Sequence, residues 1–112
     1  MACPLMSRLL LVEQSVEDSA ASVGFKRFGV TETLHTFDWS EGVSVGAVAI
    51  ETASDPNYAG TWHTLETVTF DGATPAPKQQ TVRVAGGYNA LRHRIVTLVE
   101  GGTLTSRIKA VV

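Results

Sequence analysis

Cysteine is nearly absent from this chain, with Cys3 alone among 112 residues. One thiol closes no internal disulfide and builds no thiolate metal cluster, so the fold must rest on packing. Cys3 reads as a bystander near a terminus rather than a redox centre. Long apolar runs are missing too. Nothing approaches the roughly 20 residues that cross a bilayer, and no membrane partner is expected. The apolar stretch Leu9 to Val12 is ended by Glu13, well short of the about 7–15 residues of a signal-peptide core. Helical periodicity is scarce, and the best helix candidate, 13–22, has too few apolar positions to make a face. There is no G-x-S-x-G elbow, phosphate-binding loop, dinucleotide fingerprint or D-x-D-x-D-G loop. These gaps argue against an enzyme and imply no cofactor and no metal.

What is present is a globular balance of 44% hydrophobic and 18% charged residues. At this length a chain forms one domain and buries about two thirds of its unfolded surface. Short strands are predicted at 8–14, 30–39, 43–52, 61–70, 80–85, 90–99 and 103–111, cut by Gly, Pro, Asp and Asn. The last is the cleanest, with Leu104, Ser106, Ile108 and Ala110 on one side and Thr103, Thr105, Arg107 and Lys109 on the other. Strand 90–99 sets Leu91, Ile95 and Val99 against Arg92 and Arg94. Gly101-Gly102 suits a tight hairpin, so these two strands are expected to pair antiparallel. Strand 43–52 is small or apolar on both faces, which predicts cover on both sides or close backbone approach at Gly46. Asp55-Pro56-Asn57-Tyr58 reads as a corner, after which Trp62 enters the core and Leu65 completes it. The expected core anchors are therefore Ile50, Trp62, Leu65, Leu91, Ile95, Leu104 and Ile108.

These patterns define an all-β fold, an antiparallel two-sheet sandwich of jelly-roll-like character. Residues 1–29 form an expected N-terminal arm and 30–112 the sandwich domain. The arm has no packing face at 15–22. Its apolar residues, Leu9, Leu11, Phe25 and Phe28, are expected to pack on a neighbouring molecule.

His35, His63 and His93 fall on three strands without i, i+2 or i, i+4 pairing and read as ordinary strand-face residues rather than a zinc site. Asp38, Glu41, Asp55 and Asp71 fall near turns, where carboxylates can gather around calcium, but no calcium loop is present. Charge is segregated along the chain. Ten of the eleven acids precede residue 78, and six of the nine bases follow from Lys78 onward. Arg83, Arg92, Arg94, Arg107 and Lys109 make a basic stripe that reads as a solvated outer face or a protein interface. No aromatic residue interleaves with it as nucleic-acid stacking requires.

The stretch "SVGAVAIETASDPNYAGTWHTL", followed by "TVRVAGGYNALRHRIVTLVEGGTLTSRIKAVV", resembles the small β-sandwich domains of tailed-bacteriophage virion proteins. The likeness covers about residues 30 to 112 and is carried by Glu51, Asp55, Trp62, Tyr88, Arg92, Arg94, Gly101 and Gly102. It departs from that pattern in the extra length between Asp55 and Trp62. The resemblance implies a non-enzymatic structural protein, above all a capsid decoration (cement) protein. Its partners would be the major capsid protein and copies of itself. It would be made in the bacterial host cytoplasm and end on the capsid surface of the virion. The alternative is a carbohydrate-binding adhesion module of a tail, fibre or baseplate, with a glycan as partner and Trp39 and Tyr58 as its aromatic platform.

Overall fold

Period-two alternation lets a strand bury one face and wet the other, and most of this chain is written that way. The computed structural model describes residues 4–24, 32–53, 62–70, 78–86 and 90–111. Among them are eight strands: β1 (Pro4–Leu9), β2 (Ala20–Gly24), β3 (Glu32–Trp39), β4 (Val45–Ala53), β5 (His63–Thr69), β6 (Lys78–Ala85), β7 (Ala90–Glu100) and β8 (Leu104–Val111). Sheet A has the order β1-β8-β3-β6 and sheet B the order β2-β7-β4-β5. All pairings are antiparallel. The protein is an all-β, two-sheet antiparallel sandwich. The pairs β1·β8, β2·β7, β3·β6 and β4·β5 nest, as they would in one long hairpin rolled over itself.

The two sheets bury their facing sides against each other. Phe37 and Trp39 of β3 and Leu104 and Ile108 of β8 meet Val48 and Ile50 of β4 and Leu91 and Ile95 of β7. Strand β4 is covered on both faces, because outward Ala47 and Ala49 are buried as well as inward Val48 and Ile50. Gly46 has the expected close approach, and it is to a side chain. A Cβ there would stand 2.8 Å from the Trp39 ring.

Two expectations about the chain path are overturned. Strands β7 and β8 do not pair, because Gly101 (φ +88°) carries the chain from sheet B across to sheet A. Each strand already has two hydrogen-bonded neighbours, so neither has a free edge for the other. The crossing packs against the β3–β4 turn: Ser40 N donates to Thr103 O at 2.9 Å, and Thr103 N donates to Ser40 Oγ at 2.8 Å. The 13–22 stretch, which lacks an apolar helix face, is a crossing segment that ends in β2, with Glu13 (φ 48°) and Asp18 (φ 69°) in left-handed backbone. Finally, residues 4–24 do not leave the sandwich as an arm. β1 is an edge strand of sheet A and β2 of sheet B. The segment between them hydrogen-bonds first to β8 and then to β7. Leu11 and Val23 are its burial anchors, so Leu11 packs within its own chain, while Leu9 stays exposed.

Candidate functional site

Outward positions of sheet B bring charge into an unusual setting. Glu51 lies opposite Arg92 in register on β4 and β7, and Ala49 lies opposite Arg94. The small alanine leaves room for the Arg94 side chain to reach Glu51. Arg92 Nε donates to Glu51 Oε1 at 2.6 Å. Arg94 Nε donates to the same oxygen at 3.1 Å, and its Nη2 donates to Oε2 at 3.2 Å. Thr64 adds a hydroxyl donor to Oε2 at 3.3 Å. The Glu51 carboxylate is thereby only 2% exposed although it sits on the outside of the sheet. Burial alone would raise its pKa. The hydrogen bonds and charge of Arg94 and Arg92 outweigh that and hold it below the usual carboxylate range. Arg94 is pushed further up by the Glu51 hydrogen bond and reaches Asp18 through Nη1 at 2.8 Å. Trp62 stacks on the Arg92 guanidinium, 4.6 Å from ring centroid to Cζ.

Sheet A presents a different outer face. Lys109 lies opposite Leu34 and Arg107 opposite Thr36 on β3, and Ser7 and Leu9 of β1 flank them on the other side. Arg83, opposite Leu34 on β6, keeps only a 3.6 Å contact to Glu32. Arg107 and Lys109 are exposed and have no ion-pair partner among the described residues. Leu9, at 45% exposure, adds an apolar element to this face.

Between the sheets runs a polar chain. Thr33, His35, His93 and Ser106 are all fully buried. Thr33 Oγ1 meets His35 Nε2 at 2.7 Å, His35 Nδ1 meets His93 Nε2 at 2.7 Å, and His93 Nδ1 meets Ser106 Oγ at 2.8 Å. Leu11 N donates to the same Ser106 oxygen at 3.1 Å. Two of these bonds cross between the sheets: His93 of β7 meets His35 of β3 on one side and Ser106 of β8 on the other. Burial lowers the pKa of His35 to about 4 and that of His93 to about 3, the latter helped by its neighbour His35.

The five bases expected to make one stripe are therefore split between opposite faces. Arg83, Arg107 and Lys109 lie outside sheet A, and Arg92 and Arg94 outside sheet B. Arg92 and Arg94 are engaged by Glu51 and are not free for a partner. Of the expected arm contacts, Leu9 is exposed, Leu11 is core, and Phe25 and Phe28 lie outside the described residues. Among the expected anchors, Ile50, Leu91, Ile95, Leu104 and Ile108 are fully buried, and Leu65 packs against them half-buried. Trp62 is not a core residue, because its neighbour is Arg92 on the outer face. The core tryptophan is Trp39, 3% exposed, its Nε1 donating to Gln80 Oε1 at 2.6 Å. The corner 54–61 and Tyr58 with it lie outside the described residues. Among those described, no group of three metal-ligating side chains gathers.

Sequence reasoning missed the convergence of His35 and His93. The signal was in the alternation, which puts His35 in phase with Phe37 and His93 in phase with Leu91 and Ile95. Two inward histidines on different strands of a sandwich can meet across its core. No protein-family model matches the chain, and none of the curated proteins matches it.

Proposed function

We propose that this chain is a non-enzymatic structural protein of a tailed-bacteriophage particle, a capsid decoration protein that reinforces the head shell from outside. The nested strand order supports it, since a jelly roll, a fold used by viral capsid domains, would run the chain in that order. Fold alone does not define a role, so the reading is carried by one observation about surface. The outer face of sheet A holds Arg107, Lys109 and Leu9 exposed, the cations without ion-pair partners among the described residues. An exposed cationic face with an apolar element suits docking on an acidic protein surface, either the shell or the acidic loops of another copy. Many weak contacts of this kind sum over a lattice. The polar groups of the interior and of the Glu51 cluster are mutually satisfied, which suits a scaffold better than a reacting centre.

A second reading has its own observation. Trp62 is half-buried beside Arg92, Glu51 and Thr64, an aromatic ring among hydrogen-bonding groups of the sort a glycan uses. Burial of Trp39 takes away one of the two aromatic residues first expected for that role, and Tyr58 lies outside the described residues. The deciding experiment labels the chain on purified particles and images them. Regular labelling of the head, lost on reversing Arg107 and Lys109 together, supports decoration. Labelling confined to tail tips, or capture of a glycan by the isolated protein, replaces it with adhesion.

A further inference from the structure

We propose that the His35–His93 contact is an acid-labile latch, which ties the two sheets together while the rings share at most one extra proton and lets them part when a second arrives. Neutral rings satisfy the chain in either of two proton orders. In one, Ser106 Oγ–H donates to His93 Nδ1, His93 Nε2–H donates to His35 Nδ1, and His35 Nε2–H donates to Thr33 Oγ1. In the other every donor is reversed. One added proton is compatible with the geometry: a cationic His93 donates from Nδ1 to Ser106 and from Nε2 to His35. Two added protons are not. Both facing nitrogens would then carry hydrogen at a separation of 2.7 Å, with two like charges and no acceptor between them.

Among the described side chains, no opposite charge stands beside the pair. In register His35 lies between Val82 and Ile108, and His93 between Ile50 and Ala21. The Phe37 ring is 4.8 Å from that of His93. Among described side chains, no carboxylate or cation faces the rings from β2, β3, β4, β7 or β8. Arg8 of β1 and Glu66 of β5 share the inward phase but stand exposed at the sheet edges. Glu51, Arg92 and Arg94 lie on the far side of sheet B, and Glu32, Arg83, Arg107 and Lys109 on the far side of sheet A. The depressed pKa values agree with this setting. The latch also holds the β1–β2 segment, because Ser106 receives the Leu11 amide proton.

The sign follows from linkage. Histidine in an unfolded chain titrates near 6.5, and both folded values lie below that. The contribution is therefore complete above about pH 6.5 and is lost as the pH falls toward about 4 and then about 3. Opening takes up about two protons from the pair between pH 6 and 5, a window above the carboxylate range. The unfolding constant should then rise on the order of 50-fold over that unit. Urea unfolding of the full chain at pH 7, 6 and 5 measures it. His35→Gln and His93→Gln should each cut the dependence to about tenfold or less per unit. Where a variant does not fold, nitrogen-15 NMR of the wild-type rings decides, with both rings neutral and coupled through one N–H···N bond in the folded protein at pH 5. An unfolding constant unchanged from pH 6 to 5 overturns the latch. So does an imidazolium at both residues at once in the folded protein, because the geometry admits one added proton and not two.

Discussion

Outside sheet B, Arg92 and Arg94 close on Glu51 and Asp18, whereas outside sheet A, Arg107 and Lys109 meet no acid among the described residues. All four cations alternate with apolar residues on neighbouring strands of one sequence. What separates them is the residue opposite in register. β4 offers Arg92 a glutamate and gives Arg94 room over an alanine, while β3 offers Arg107 a threonine and Lys109 a leucine. A buried carboxylate turns two arginines into structural parts, and its absence leaves the other two cations as surface. The same charge therefore has opposite consequences for stability and for binding.

The sharpest way to break the comparison is to reverse the cations of sheet B. Arg92→Glu with Arg94→Glu leaves Glu51 buried with two like charges and no donor but Thr64. Removing the partners of a buried ion pair costs about 3–5 kcal/mol, so the urea midpoint should fall steeply or the chain fail to fold. A midpoint close to wild type would mean that Glu51 escapes to water and the cluster is ordinary surface.

Acid tests the same carboxylate without mutation. The Glu51 pKa is depressed in the folded protein, so its contribution is present above the ordinary value of 4.5 and lost as the pH falls below it. The loss is smaller than that from reversal, and it begins below the pH 6 to 5 interval in which the histidine pair is already responding. Glu51→Gln should remove the Glu51 share of the acid dependence below pH 4.5 and leave the dependence between 6 and 5 intact. Loss of both together would show that the cluster and the core titrate as one unit.

The two tryptophans extend the contrast from faces to depth. Trp39→Ala removes a core ring and should cost about 3–5 kcal/mol. Trp62→Ala removes a ring stacked on Arg92 and should cost about 1–2 kcal/mol, the scale of a partly desolvated cation–π contact. Equal losses would return Trp62 to the core.

Much of the sandwich was legible, because strands that bury one face announce it by alternation: β3, β7 and β8 fall within two residues of their expected bounds. Pairing was not legible. Gly101-Gly102 looks the same whether it closes a hairpin or carries the chain between sheets, and only the occupancy of both neighbouring edges decides. β2 was missed because Ala20, Ala21 and Ser22 carry little side-chain signal, its strand character coming from pairing with β7. The Glu51 cluster was half legible. Glu51, Arg92 and Arg94 each stood out, but their contact depends on the β4–β7 register, which includes two irregularities near Ala47. The histidine pair needed the same kind of cross-core information.

The smallest effect on stability belongs to sheet A and has the largest bearing on function. Arg107→Glu with Lys109→Glu alters two exposed side chains that make no ion pair among the described residues, so stability should change by no more than about 0.5 kcal/mol. Their binding consequence should be opposite in scale. If this face docks on an acidic surface, wild-type association weakens as salt rises, because exposed charges are screened beyond about 10 Å at 0.1 M ionic strength. The reversed variant should lose association at low salt and keep the wild-type urea midpoint. The Glu51 cluster is compact and partly desolvated, so the same rise in salt should leave the urea midpoint nearly unchanged. Measuring particle occupancy and the urea midpoint across one salt series therefore separates the two faces in a single experiment. Occupancy that ignores both salt and reversal would leave Arg107 and Lys109 as solvated surface, and the docking face would have to be sought elsewhere on the sandwich.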